Sequence, residues 1–241
     1  MVIDTWKIKD KKPVQIQNNQ KLEENKRFMY RVYSWMFLGL IVSGFTAYVV
    51  ASEPTLYKFV VSKLGFYSIM TIGILIIVIL KIFLNRINAN LVGFLFLLYC
   101  FTVGLLTSMI FLIFTIESIG KVFFLSASMF GIASAYGYMT NRDLTAAGNI
   151  LRMGFLGIVI SFLINIILGS PVADYAISIA AVAVFTGFTS YYTQRIKSHN
   201  IIGNEGTPED QKEAVFGALL LYLAFLNMFV NLLKIFGKRR S

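Results

Sequence analysis

Acidic side chains are scarce in this sequence: 12 Asp and Glu stand against 22 Lys and Arg in 241 residues. Their positions matter more than their number. Asp4, Asp10, Glu23 and Glu24 precede the first long apolar run. Glu53, Glu117, Asp143, Asp174, Glu205, Glu209, Asp210 and Glu213 sit at or between the ends of later ones. None falls in the middle of a run. A carboxylate at mid-depth in a membrane is costly and marks proton relays and cation pathways, and this sequence offers none there. Glu117 and Asp174 read as rim groups or helix-start charges. Asp174 follows Ser170-Pro171, an ordinary helix start whose positive end suits an acid.

Other absences narrow the chemistry. The single cysteine, Cys100, excludes an internal disulfide framework and any multi-cysteine metal site, and within its apolar run it reads as a small buried hydrophobe. The single histidine, His199, has no ligand set and no base partner in sequence, so it reads as a solvated loop side chain. No nucleophile elbow, HExxH, phosphate loop or dinucleotide fingerprint occurs. A hydrolase or intramembrane protease would have no residues to work with, so neither an enzyme nor a cofactor is expected. No short apolar segment with a small-residue cleavage site lies near Met1, so the first span is the expected insertion signal.

What is present is apolar bulk. Hydrophobic residues make up 57% of the chain and charged ones 14%, where a soluble domain carries about 25% charged, and mean hydropathy is +0.71. Seven runs approach the roughly 20 residues that a crossing helix needs: Tyr33–Ala51, Leu64–Leu84, Leu91–Ile113, Val122–Met139, Asn149–Leu168, Val172–Thr193 and Ala214–Phe236. They are too long for barrel strands and do not alternate, so helices are the spanning structure. The expected fold is an all-α integral membrane protein, a seven-transmembrane-helix bundle over residues 31–241, preceded by a cytosolic tail over residues 1–30 that is flexible or, near its end, helical. "LYKFVVSKLG", residues 56–65, reads as an interfacial lead-in to the second span or as its first turns. Small residues recur four apart at Gly39 and Ser43, at Gly104 and Ser108, and at Ala127, Gly131 and Ala135, which allows close helix packing in lipid.

The basic residues set the orientation. Lys and Arg crowd the N-terminal tail, and with that tail inside, Lys81, Arg86, Arg142, Arg152, Arg195, Lys197 and Lys212 fall inside too. Only Lys58, Lys63 and Lys121 fall outside before the C-terminus, so the N-terminus is expected in the cytosol. Lys234, Lys238, Arg239 and Arg240 conflict with this: they lie outside if all seven runs cross, unless the seventh re-enters. Basic flanks around apolar runs fit the lipid bilayer and its anionic headgroups, not nucleic acid, for which no soluble basic domain exists.

Neutral polar groups inside the runs have two readings. Asn165 shares a face of the fifth run with Ser161, and Asn227 and Asn231 line a stripe on the seventh. Hydrogen bonding between helices is the plainer reading, and a polar pathway that includes Arg152 is the sharper one. Arg152, about one turn inside the fifth run, either snorkels to the cytosolic surface or pairs with a neighbouring helix.

The stretch "FGIASAYGYMTNRDLTAAGNILRMGFLGIVISFLINIIL", followed by "GFTSYYTQRIK", resembles the Bax inhibitor-1 (transmembrane Bax inhibitor motif) family. The similarity covers residues 28–237. Its most specific parts are Gly137-Tyr138-Met139-Thr140 with Asp143-Leu144, the Leu-x-Met-x-x-x-Gly pattern from Leu151, and Thr193-Gln194. The resemblance implies seven helices, a cytosolic N-terminus and, for a bacterial member, the inner membrane. It also implies a leak of calcium or other cations, controlled by one acid in a Tyr/Phe-Asp-Thr-Gln motif ending the sixth span and another in a Leu-Asp-Phe motif in the seventh. Here Tyr192 stands at the first position and Ala224 at the second. Neighbouring carboxylates repel, share a proton near neutral pH and attract calcium; a phenol with a reference pKa of about 10 and a methyl group do neither. Two functions stay open: a regulator of other membrane proteins, such as a membrane-bound protease, docking through the N-terminal tail, and a cation leak without the acid-pair gate.

Overall fold

Each apolar run becomes a helix, and the polar or proline-bearing breaks between them set the ends. The computed structural model describes residues 11–84 and 86–240. Its helices are α1 (Lys11–Ser52), α2 (Pro54–Val61), α3 (Lys63–Phe83), α4 (Ala89–Thr107), α5 (Ile110–Ile113), α6 (Ile116–Met139), α7 (Thr145–Leu168), α8 (Pro171–His199) and α9 (Pro208–Phe236). Seven segments are long and apolar enough to cross a membrane, with α4 and α5 sharing one crossing, Ala89–Ile113. They coincide with the seven runs.

The boundaries follow local chemistry. Pro54, Pro171 and Pro208 occupy first-turn positions, and the side chains of Ser170 and Thr207 cap the helices they precede. Gly169 closes α7 at φ +62, in the left-handed region. The segment 56–65 divides: α2 is a helix of its own, and Ser62 ends it while capping α3 through the amide of Gly65. Gly65 is obligatory there, since a Cβ would lie 1.9 Å from the Phe59 carbonyl oxygen.

Two expectations need amendment. Residues 1–10 of the N-terminal tail lie outside the described residues, but the boundary drawn at residue 30 falls inside α1, which is helical from Lys11 through the first crossing. The small-residue rows also part company. A Cβ on Gly39 would lie 2.8 Å from both Cys100 and Phe96, and one on Gly104 would lie 2.7 Å from the Ser43 backbone, so these rows hold α1 against α4. Gly131 has open space beside it and Ala135 is exposed, so the third row makes no such crossing.

The last crossing is the centre of the bundle. α9 packs against α8, α1, α6 and α4, while α3 leans on α4 and α7 on α8. Aromatic rings fill the middle: Phe225 lies edge-on to Phe123 and Phe130, and Tyr222 is wholly buried beside Phe96 and Tyr99. α7 presents nearly all of its surface outward, with only Gly148 buried.

Cations gather at both ends. One end, here the basic end because it holds more of them, gathers the first turns of the α1 crossing, the α6–α7 turn and residues 200–207. At the other end Gly237–Arg240 is stitched to the α5–α6 connection: Thr115 N–H donates to Lys238 O, Arg240 N–H to Ile113 O, and Lys238 N–H to Ser118 Oγ. α9 runs unbroken between them, with no break at which the seventh run could turn back. Lys234, among the residues in conflict with the charge rule, is met there by Asp174 at 3.1 Å.

Candidate functional site

The end of α8 carries two polar stripes spaced three and four residues apart, and each faces a different helix. Toward α6, Ser190 Oγ donates to the Ala133 carbonyl at 2.7 Å, and Thr193 shares a hydrogen bond with Ser134 at 3.1 Å. Ser134 is itself bonded to the Tyr33 hydroxyl of α1. Lys197 Nζ donates to the Tyr138 carbonyl at 2.8 Å and lies 4.4 Å from that ring's centroid. Gly137 permits this approach, since a Cβ there would lie 2.2 Å from the Ser190 carbonyl oxygen.

Toward α7 the stripe is Tyr191, Gln194 and Arg195. Gln194 spans the α6–α7 turn, donating to the Arg142 carbonyl at 2.7 Å and accepting from Leu144 N–H at 2.9 Å. Within that turn Asp143 accepts from the hydroxyl and amide of Thr145, which holds its carboxyl below the ordinary aspartate value. The Tyr191 ring is buried against Gly148, where a Cβ would lie 2.4 Å from it. Its hydroxyl accepts from Arg152 at 2.8 Å and also from Arg195. A cavity of about 320 Å³ opens beside these groups, lined among others by Asp143, Tyr191, Gln194, Arg195 and His199.

A second cluster ties the start of the α1 crossing to residues 200–210. Arg31 grips Asp210 through two contacts of 2.9 and 2.8 Å, and Asp210 is 2% exposed. Arg27 grips Glu205 at 2.7 and 2.9 Å. The hydrogen bond from Arg27, with the charges of Arg27 and Arg31, holds the Glu205 carboxyl below the ordinary glutamate value. Glu24 accepts from Gly203 N–H and Asn25 from Asn200, completing a strap over the connection.

The residues singled out in the sequence do not converge. Tyr192 is half-buried and stacks on Phe188, ring centroids 5.1 Å apart. Ala224 is 2% exposed in the α9 core. Asn227 and Asn231 each donate to a carbonyl of their own helix, Leu223 and Asn227, not to a neighbour. Asn165 caps the far end of α7 by accepting from Ser170 N–H. Arg152 pairs across helices, with Tyr191, and also contacts Asn149. The sequence motif marks Gln194 without its partners, and it gives no sign of the role of Tyr191, of Ser134 or of the Arg31–Asp210 pair. The three-residue spacing along α8 could have placed Tyr191 and Gln194 on one face, whereas Ser134 and the Arg31–Asp210 pair join groups far apart in sequence.

Comparison with known proteins agrees with this frame. The family model described as Inhibitor of apoptosis-promoting Bax1 matches residues 25–241. The inner membrane protein YbhL of Escherichia coli (strain K12) is 37% identical over 215 residues, covering 88% of this chain and 92% of that protein. A Rickettsia prowazekii protein, RP147, is 36% identical over 227 residues, 92% of this chain and 94% of its own. A Borreliella burgdorferi protein is 34% identical over 226 residues, 93% and 97% of the two chains.

Proposed function

The chain belongs to the Bax inhibitor family as a multi-pass integral membrane protein, and on that premise we propose that it regulates other membrane proteins, a membrane-bound protease among them, and does not conduct calcium through a pH-gated path. The observation that carries this reading is the pair of substituted positions. Tyr192 is spent on a stacked aromatic contact, and Ala224 is sealed in the core. Neither supplies a hard oxygen ligand or a proton that moves near neutral pH. The one acid buried inside the described bundle, Asp210, is held by Arg31, and the α9 asparagines satisfy themselves along their own helix.

Reconstituted protein should show the same calcium flux at about pH 8 and about pH 6, the range over which paired carboxylates would titrate. A several-fold rise on acidification would overturn the reading and restore the leak as the family alternative. The double variant Tyr192→Asp, Ala224→Asp is expected to acquire that rise. On the regulatory side, removing residues 1–20 spares the Glu24, Asn25, Arg27 and Arg31 contacts. It should abolish any effect of the protein on turnover of membrane-protease substrates while leaving the bundle's melting temperature unchanged. Unchanged turnover after that deletion would remove the tail from the mechanism.

A further inference from the structure

Two of the cations around Tyr191 meet at a neutral group, with no acid of the described residues paired to either. Arg152 from α7 and Arg195 from α8 converge on one neutral hydroxyl oxygen, their guanidinium carbons 5.6 and 5.8 Å from the same ring centroid. Among the described residues neither makes an ion pair, and neither do Arg142 and Lys197 nearby. Asp143 lines the adjoining cavity, where its Oδ1 accepts from Thr145, and it forms no ion pair with either arginine. Two like charges gathered on one acceptor repel each other, and each guanidinium retains N–H donors beyond those it uses on Tyr191 and Asn149.

Position decides what anion would answer them. Arg152 is seven residues past the start of α7, about 10 Å along the axis, on a helix that faces outward along nearly its whole length. Arg195 is four residues from the end of α8 and also exposed. Both lie within about two turns of their helices' ends at the basic end, the part of a spanning helix that meets lipid headgroups. Planar forks that present paired N–H groups match the oxygens of a phosphate. We propose that Arg152 and Arg195, set by Tyr191, form a phosphate-binding site that takes the headgroup phosphate of an anionic phospholipid. The site is independent of whether the protein regulates partners or passes ions.

The test is retention of phosphatidylglycerol by the purified full-length protein, read by native mass spectrometry and by melting temperature in mixed micelles, with phosphatidylcholine as the reference lipid. Arg152→Gln with Arg195→Gln should weaken retention by roughly ten- to a hundredfold, the worth of one or two charge-assisted hydrogen bonds. Lys81→Gln with Arg86→Gln, at the end of α3, which packs on α2 and α4, should leave it unchanged. Competition by millimolar inorganic phosphate would identify a soluble phosphate as the occupant of the same site, and no competition would identify the lipid. Equal retention in the Arg152/Arg195 variant, or an equal loss in the Lys81/Arg86 control, would overturn the proposal. Should the double variant not fold, Arg195→Gln alone, at an exposed position one turn from the helix end, carries the same comparison.

Discussion

At the scale of single residues, glycine positions separate contacts that hold helices together from surface that holds nothing. A Cβ on Gly148 would enter the Tyr191 ring, and one on Gly137 would strike a backbone carbonyl that cannot step aside. Gly148→Leu should therefore lower stability by about 1–3 kcal/mol through overpacking, seen as a lower melting temperature in detergent. Gly131→Ala has open space around it and should be neutral or stabilising by up to about 1 kcal/mol through helix propensity. Equal destabilisation by both would contradict the packing described. The aromatic pair Tyr191-Tyr192 shows how far residue identity alone reaches. In sequence the two look equivalent. In the bundle one is a buried acceptor for two arginines and the other a half-buried ring stacked on Phe188.

At the scale of elements, α8 is the joint that fixes α6, the α6–α7 turn and α7 relative to one another. Gln194→Leu removes both hydrogen bonds to the turn and should cost about 2 kcal/mol, at about 1 kcal/mol each. Hydrogen exchange should accelerate over residues 141–145 and not in the helices. The seven crossings were legible in the sequence because a membrane demands about 20 apolar residues per helix, a signal that no tertiary context can hide. The pairing of polar groups was less legible. Asn227 and Asn231 sit on one stripe, as expected, yet bond backward along α9, since a helix offers every asparagine a carbonyl four residues earlier. Sequence spacing says which groups share a face; it does not say whether a partner helix comes close enough to claim them.

At the scale of the whole molecule, the bundle should respond to acid through its strap and not through its interior. Glu205 titrates below its ordinary value in the folded state, so its contribution is present above the ordinary carboxylate value and is lost as pH falls through the lowered one. Stability should stay level from about pH 8 to about pH 5 as far as this group is concerned, and decline only below about pH 4. Exchange over residues 200–207 should rise first. Arg31→Met leaves Asp210 buried without its cation and should cost roughly 2 kcal/mol, less than for a fully buried pair because Arg31 is partly exposed. Its decisive signature is loosening of the same loop already at neutral pH. The central place of α9 also bears on how the protein is made. Helices enter a membrane in chain order, N-terminal segments first, and the helix that α1, α4, α6 and α8 all lean on follows every one of them. Until it arrives, those four stand around an unfilled axis, so lipid tails or an insertion factor must occupy that space, and the bundle acquires its final packing in one late step.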